Sequence, residues 1–221
     1  MSRVSVVGLG VSAALALGCD SKSPTAPASV LAAPAPARRI VVLGDSLAVS
    51  PTMEQSFPSR LQARIDREGL QWRVTNAAVW GDTTASGVTR LDAALSPDAA
   101  VLIVALGAND GLRGVDVSVI DRNLSTIVRT AQQRSVRVLL CGMETPPTYG
   151  WDYSVAFHFL FPDLAQRLAV PLVPFLLAGV ALAPDMNGPD GVHPNAAGAA
   201  RIAETVWPFL QPLLSVAAAT S

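Results

Sequence analysis

The hydroxyl of Ser46 closes a run of apolar residues, Ile40-Val41-Val42-Leu43, that is followed by Gly44 and Asp45. Four β-prone residues ahead of Gly-Asp-Ser predict a buried strand ending in a tight turn. The hydroxyl then sits at the strand's carboxyl end, where open α/β sheets bind ligands. Serine alone is a weak nucleophile and needs both a base and a site for the oxyanion. The chain has two histidines. His193 lies in Asp190-Gly191-Val192-His193-Pro194, where a carboxylate precedes the imidazole in a loop containing Gly and Pro. One turn of chain brings Asp190 to the far ring nitrogen, which fixes the tautomer and stabilises the imidazolium. His158, in Phe157-His158-Phe159, falls in an apolar helical stretch and reads as a packed histidine with locally satisfied nitrogens. Ser46, Asp190 and His193 are therefore the candidate triad, and its chemistry is acyl transfer.

Two further strand ends supply oxyanion donors. Asn76-Ala77-Ala78-Val79-Trp80-Gly81 ends in a glycine, whose missing Cβ lets a backbone N–H approach a ligand. Leu102-Ile103-Val104-Ala105-Leu106-Gly107-Ala108-Asn109 ends in an asparagine, whose amide is a neutral donor to a developing negative charge. The candidate oxyanion hole is thus the N–H groups of Ser46 and Gly81 with the side chain of Asn109. Asp45, Asp82 and Asp110 each follow a Gly or Asn at a strand end and read as partners of turn backbone.

The elements that must hold these residues alternate strand and helix. Helices are predicted over Phe57 to Glu68, Thr84 to Leu95, Asp116 to Arg134, Asp152 to Leu168 and Asn195 to about Leu214, the last bent at Pro208. Strands are predicted over Arg73 to Val79, Ala99 to Leu106, Val136 to Cys141 and Leu172 to Phe175, in addition to the first. Ala99 to Leu106 is almost wholly apolar, as in a strand covered on both faces. Such alternation gives a parallel sheet with helices on both sides.

Four blocks, Gly44-Asp45-Ser46-Leu47, Gly81-Asp82-Thr83, Gly107-Ala108-Asn109-Asp110 and Asp190-Gly191-Val192-His193-Pro194, occur in an order that resembles the GDSL, or SGNH, hydrolases. Asn109-Asp110-Gly111-Leu112-Arg113-Gly114, Pro146-Pro147-Thr148-Tyr149-Gly150 and Val170-Pro171-Leu172-Val173-Pro174-Phe175 are similar to the branch holding bacterial arylesterases, acyl-CoA thioesterases and lysophospholipases. The resemblance spans about Arg39 to about Leu214. It implies a three-layer α/β/α, flavodoxin-like sandwich with a five-stranded sheet in the order 2-1-3-4-5. It also implies a Ser-His-Asp esterase that acts on small acyl esters or thioesters without a cofactor. Trp80 departs from the pattern, since relatives often carry a small residue before the oxyanion glycine. Ala48-Val49-Ser50-Pro51 departs too, where a glycine-containing turn is common. Both bear on substrate choice.

Composition sets the remaining bounds. The 221 residues, half of them hydrophobic, suffice for one substantial core, and a formal net charge of −1 without basic runs argues against nucleic acid as a partner. Two separated histidines and no cysteine cluster do not make a recognisable metal site. Cys141, in Val138-Leu139-Leu140-Cys141, reads as a buried small hydrophobe. Met143 to Trp151, rich in Pro and aromatic residues, reads as a rim over the acyl pocket or as a plain surface loop.

Residues 1–18 are predicted to be an export signal of lipoprotein type. Arg3 precedes an apolar stretch, and Leu15-Ala16-Leu17-Gly18-Cys19 resembles a lipobox, which makes Cys19 the lipidation site on the periplasmic side of a membrane. Residues 19–37 then form the lipidated cysteine and a tether of Pro, Ala and Ser, residues 38–216 the hydrolase domain, and residues 217–221 a tail. The membrane is reached only through that anchor. Val6-Val7-Gly8-Leu9-Gly10 mimics a dinucleotide fingerprint, but no second strand with an acidic residue follows it. The G-x-S-x-G elbow of α/β-hydrolases also fails, because that fold needs strands ahead of its serine and here a signal and a tether precede it. Within enzymes the rival is a carbohydrate acetyl esterase; outside them, it is a ligand-binding lipoprotein without chemistry.

Overall fold

The first strand sets the frame. In a computed structural model that describes residues 38–215, β1 (Arg38–Gly44) is an interior strand of the sheet with Ile40, Val41, Val42 and Leu43 fully buried. Complete burial of side chains of this size contributes about 1.5–3 kcal/mol each. Their continuous apolar run reflects helices on both faces rather than one. The other strands are β2 (Trp72–Asn76), β3 (Ala99–Ala105), β4 (Arg137–Cys141) and β5 (Leu172–Val173), all parallel, in the order β2-β1-β3-β4-β5. This is the order the family resemblance implies.

Among the described residues six α-helices complete the layers: α1 (Phe57–Arg67), α2 (Thr84–Ala94), α3 (Ala108–Leu112), α4 (Val117–Gln133), α5 (Trp151–Leu168) and α6 (Ala196–Ser215). α1 packs on α6, while α4 packs on both α2 and α5, which makes two helical layers with the sheet between them. α1 buries Leu61 and Ile65, one turn apart, and α4 buries Ile120, Leu124, Ile127 and Val128 at helical spacing. Thr83 and Ser86 close the start of α2 by a reciprocal capping box, and the Asp116 carboxylate accepts the Ser118 N–H at the start of α4.

Register places the site. Val42 pairs with Asn76 on one side and Ile103 on the other, and Gly44 pairs with Ala105, so three strands end at nearly the same level. Beyond β2 the chain stays zipped to β1, the Ala77 N–H donating to the Val42 carbonyl and the Val79 N–H to that of Gly44. The second strand is accordingly shorter than its apolar pattern suggests: residues 77–79 follow β1 but lie outside the regular ladder. β5 is only Leu172–Val173, because the prolines at 171 and 174 have no N–H to donate.

The proposed signal, Cys19 and the whole tether lie outside the described residues, as does the tail. No helix among the described residues is long and apolar enough to cross a membrane.

Candidate active site

Ser46 occupies the first position of a single 3-10 turn, Ser46–Ala48, immediately after β1. Asp45 caps that turn, its carboxylate accepting the Leu47 N–H at 3.0 Å. The Ser46 carbonyl accepts both the Val49 N–H and the Ser50 hydroxyl, which pins the turn from its far side. The serine is 93% covered, and its Oγ stands 2.9 Å from Nε2 of His193. The other imidazole nitrogen, Nδ1, is 2.6 Å from Asp190 Oδ2. The second oxygen of Asp190 accepts the backbone N–H groups of Val192 and His193, both at 3.0 Å. The ring hydrogen bond together with these two N–H groups holds the Asp190 carboxyl well below the usual carboxylate range, so it stays anionic beside the imidazole.

The loop that carries this pair is fastened to α6. The Asn195 side-chain oxygen accepts the Ala197 and Gly198 N–H groups at the helix start, and its amide donates to the carbonyls of Asp185 and Asn187. Asn187 is itself buried and donates to the carbonyls of Val180 and Ala183. Nothing in the Asp-x-x-His spacing announces this second tier; the polar residue after His-Pro is its only sequence trace.

On the opposite side of the serine, Val79 to Asp82 form a β-turn closed by the Asp82 N–H to the Val79 carbonyl. Gly81 takes φ +76°, a left-handed value that glycine adopts without steric cost. Its carbonyl accepts the Arg113 guanidinium at 3.1 Å. Among the described residues the N–H groups of Ser46 and Gly81 have no acceptor. Asn109 lies in the first turn of α3, two residues past the positive-φ Gly107 that caps the helix. Its amide donates to the Asp82 carbonyl at 2.9 Å and, at 3.3 Å, to Asp45 Oδ2. The sequence places Asn109 at a plain strand end; a five-residue helix is too short for periodicity to reveal.

The three acidic residues that follow these strand ends do more than close turns. Asp45, with no exposed surface, bridges the serine turn to Asn109, and burial pushes its carboxyl up to about 6 despite the Leu47 N–H, the Asn109 amide and the nearby His193. Asp82 pairs with the Arg90 side chain. Asp110 accepts the Thr84 N–H and hydroxyl at 2.9 and 2.7 Å, locking α3 to the start of α2. His158 also differs from expectation. Its Nδ1 is satisfied locally, 2.7 Å from Glu144, but the ring is more than half exposed rather than packed. The helical stretch has an outer face as well as a buried one, and residue 158 falls on the outer. Cys141 is fully buried, which pushes its thiol up to about 12. A separate groove of about 610 Å³, lined by Val117, Asp121, Leu160, Asp163 and Arg167 among others, shares no residue with this constellation.

A serine hydroxyl on an imidazole that is in turn held by a carboxylate, at the carboxyl edge of a parallel sheet in an α/β/α sandwich, is the arrangement of a serine hydrolase. Residues 42–201 match the model of the GDSL-like lipase/acylhydrolase family, and the chain belongs to that family. It is 39% identical over 183 residues to the esterase TesA of Pseudomonas aeruginosa, covering 81% of this chain and 91% of that protein. An arylesterase of Vibrio mimicus is 38% identical over 173 residues, covering 76% of this chain and 86% of the relative. Among solved structures, the psychrotrophic esterase EstA from Pseudoalteromonas sp., inhibited by monoethylphosphonate, aligns with a TM-score of 0.75 at 29% identity, over 80% of this chain and 98% of that one. The chain is accordingly a hydrolase acting on ester bonds.

Proposed function

We propose that the chain hydrolyses carboxylic esters or thioesters through an acyl-enzyme on Ser46, with His193 as general base and acid and Asp190 as its orienting carboxylate. The observation that carries this reading is the continuous path from Ser46 Oγ through the imidazole to Asp190, with contacts of 2.9 and 2.6 Å. His193 Nε2 takes the hydroxyl proton as Oγ bonds to the carbonyl carbon, and the carbonyl π electrons move onto oxygen. The N–H groups of Ser46 and Gly81 have no protein acceptor to surrender, so they can meet that oxyanion without reorganising. Asn109 joins them by exchanging its longer bond, the one to Asp45. Collapse of the tetrahedral intermediate breaks the bond to the leaving oxygen or sulfur, which takes the proton from Nε2. Water then repeats the sequence on the acyl-serine, releasing the acid and restoring the hydroxyl.

The test is covalent labelling. A p-nitrophenyl alkylphosphonate should release one equivalent of p-nitrophenol per chain, abolish ester hydrolysis and add its phosphonyl mass to the peptide containing Ser46. Ser46→Ala should lose labelling and hydrolysis together. Hydrolysis that survives in that variant would remove Ser46 from the mechanism. We further propose that Cys19 is lipidated and holds the enzyme on the periplasmic side of a membrane. The Leu-Ala-Leu-Gly-Cys string and the Pro-rich tether behind it support this reading.

A further inference from the structure

We infer that Trp80 is the wall of a leaving-group subsite that selects esters of aromatic alcohols, an inference that rests on the catalytic roles proposed for Ser46 and His193. Trp80 occupies the second position of the turn that ends in Gly81 and Asp82. That turn is fixed from two directions, by the Val79 N–H on the end of β1 and by the Arg113 guanidinium on the Gly81 carbonyl. The indole therefore stands on a rigid base. It leans on the imidazole of His193, with ring centroids 4.7 Å apart and planes tilted by 50°. Even so, 57% of the residue remains exposed. An aromatic side chain this exposed is not filling the core. Its free surface lies beside the imidazole that serves the reaction.

That position fixes which part of a substrate it meets. The proton on Nε2 is delivered to the leaving oxygen, so that oxygen must come within about 3 Å of the imidazole. The first atoms bonded to the oxygen then lie against whatever covers the imidazole's flank, and here that is the indole. A flat π-system matches such a wall better than a flexible alkyl chain, because aromatic pairs gain from offset or edge contacts beyond the area they bury. A sugar ring can also lie on an indole, but it brings hydroxyls that need partners. The residues flanking the two rings in the chain are Val79 and Val192, both half exposed and neither able to hydrogen-bond through its side chain. The surroundings favour an apolar aromatic alcohol.

The experiment compares naphthyl, phenyl and ethyl acetates, with an acetylated xylo-oligosaccharide as a fourth substrate, on the full chain and on Trp80→Ser and Trp80→Phe. Intrinsic ester reactivity cancels when each substrate's kcat/KM in a variant is divided by its own wild-type value. Trp80→Ser should lower kcat/KM for naphthyl acetate about threefold to tenfold more than for ethyl acetate, mainly through KM, with phenyl acetate between them. Trp80→Phe should restore most of that difference. Free naphthol should inhibit the wild type more strongly than Trp80→Ser. Equal losses on every substrate would reduce Trp80 to a support for His193 and overturn the inference, as would no loss at all, or a larger loss on the acetylated sugar than on naphthyl acetate. Those outcomes leave the esterase reading standing. A wild-type chain that hydrolyses none of the four would overturn both.

Discussion

Asp45 carries a charge in a place that resists it, and replacing it with asparagine should change how stability depends on pH. Its carboxyl has no exposed surface and is pushed by burial from the ordinary 3.8 up to about 6. The folded chain therefore holds this proton more tightly than the unfolded chain does. The stability gained from the protonated form is fully present below the unfolded value and is lost as pH rises through about 6. At about 1.4 kcal/mol per pH unit, the interval between 3.8 and about 6 amounts to about 3 kcal/mol, most of which falls between about pH 4 and about pH 7.5. Asp45→Asn removes the titration but keeps an oxygen for the Leu47 N–H. It also turns an NH₂ toward the Asn109 amide, a fixed cost of about 1–3 kcal/mol that does not vary with pH. Urea unfolding followed by tryptophan fluorescence, at a series of pH values and with m monitored for both proteins, gives the two stability curves. Their difference should tilt toward the variant by about 2–3 kcal/mol from about pH 4 to about pH 7.5, since titrating groups remote from Asp45 cancel. A difference that stays flat across this range would refute the buried, proton-holding carboxyl. At neutral pH the chain thus keeps an anion it would be more stable without, at the group that touches both the serine turn and Asn109.

Asn109→Ala should lower kcat by about a hundredfold to a thousandfold with little change in KM, as expected for an oxyanion donor; wild-type kcat would remove the amide from that role. Gly81→Ala and Gly69→Ala form a pair, because both glycines have positive φ and neither new Cβ meets an atom closer than 3.8 Å. Each should cost about 1–2 kcal/mol of stability, seen as a lower Tm, but only the Gly81 variant should lose kcat, since only there does the strained peptide carry an oxyanion donor. Equal kcat in the two variants would argue against the Gly81 N–H. When the full chain is made in a Gram-negative host, it should partition into detergent and Cys19→Ser should stay in the aqueous phase; identical partitioning would exclude the lipid anchor.

The parts of the site legible in the sequence were those whose chemistry is local. Asp190 and His193 are joined within one turn of chain, and Ser46 follows a strand recognisable from four apolar residues, so residue type and spacing were enough. The layered sheet was legible for the same reason, since a run such as Ala99 to Ala105 has no polar face to offer. Contacts between distant segments were not legible. The bond from Asn109 to Asp45 and the lock of Asp110 on Thr84 join residues from different strand ends, and the lean of Trp80 on His193 joins a strand end to the loop before α6. Only the strand register brings those ends level. His158 shows the complementary limit: an apolar neighbourhood in sequence does not say which side of a helix faces out.

The anchoring of His193 to α6 has a consequence for the order in which the molecule becomes reactive. β1 and the turn that presents Ser46 belong to the first part of the domain to leave the ribosome, whereas the loop with Asp190 and His193 is fixed only when Asn195 caps α6, about 150 residues later in the chain. Until that helix docks beside α1, the hydroxyl is an ordinary alcohol with no base beside it. On the roles proposed for Ser46 and His193, acyl transfer thus requires α6 to be in place, and a chain cut before it should lack a positioned base. The activity of a sample consequently counts the molecules in which the turn after β1 and the loop before α6 have met, a stricter measure of domain folding than secondary structure content.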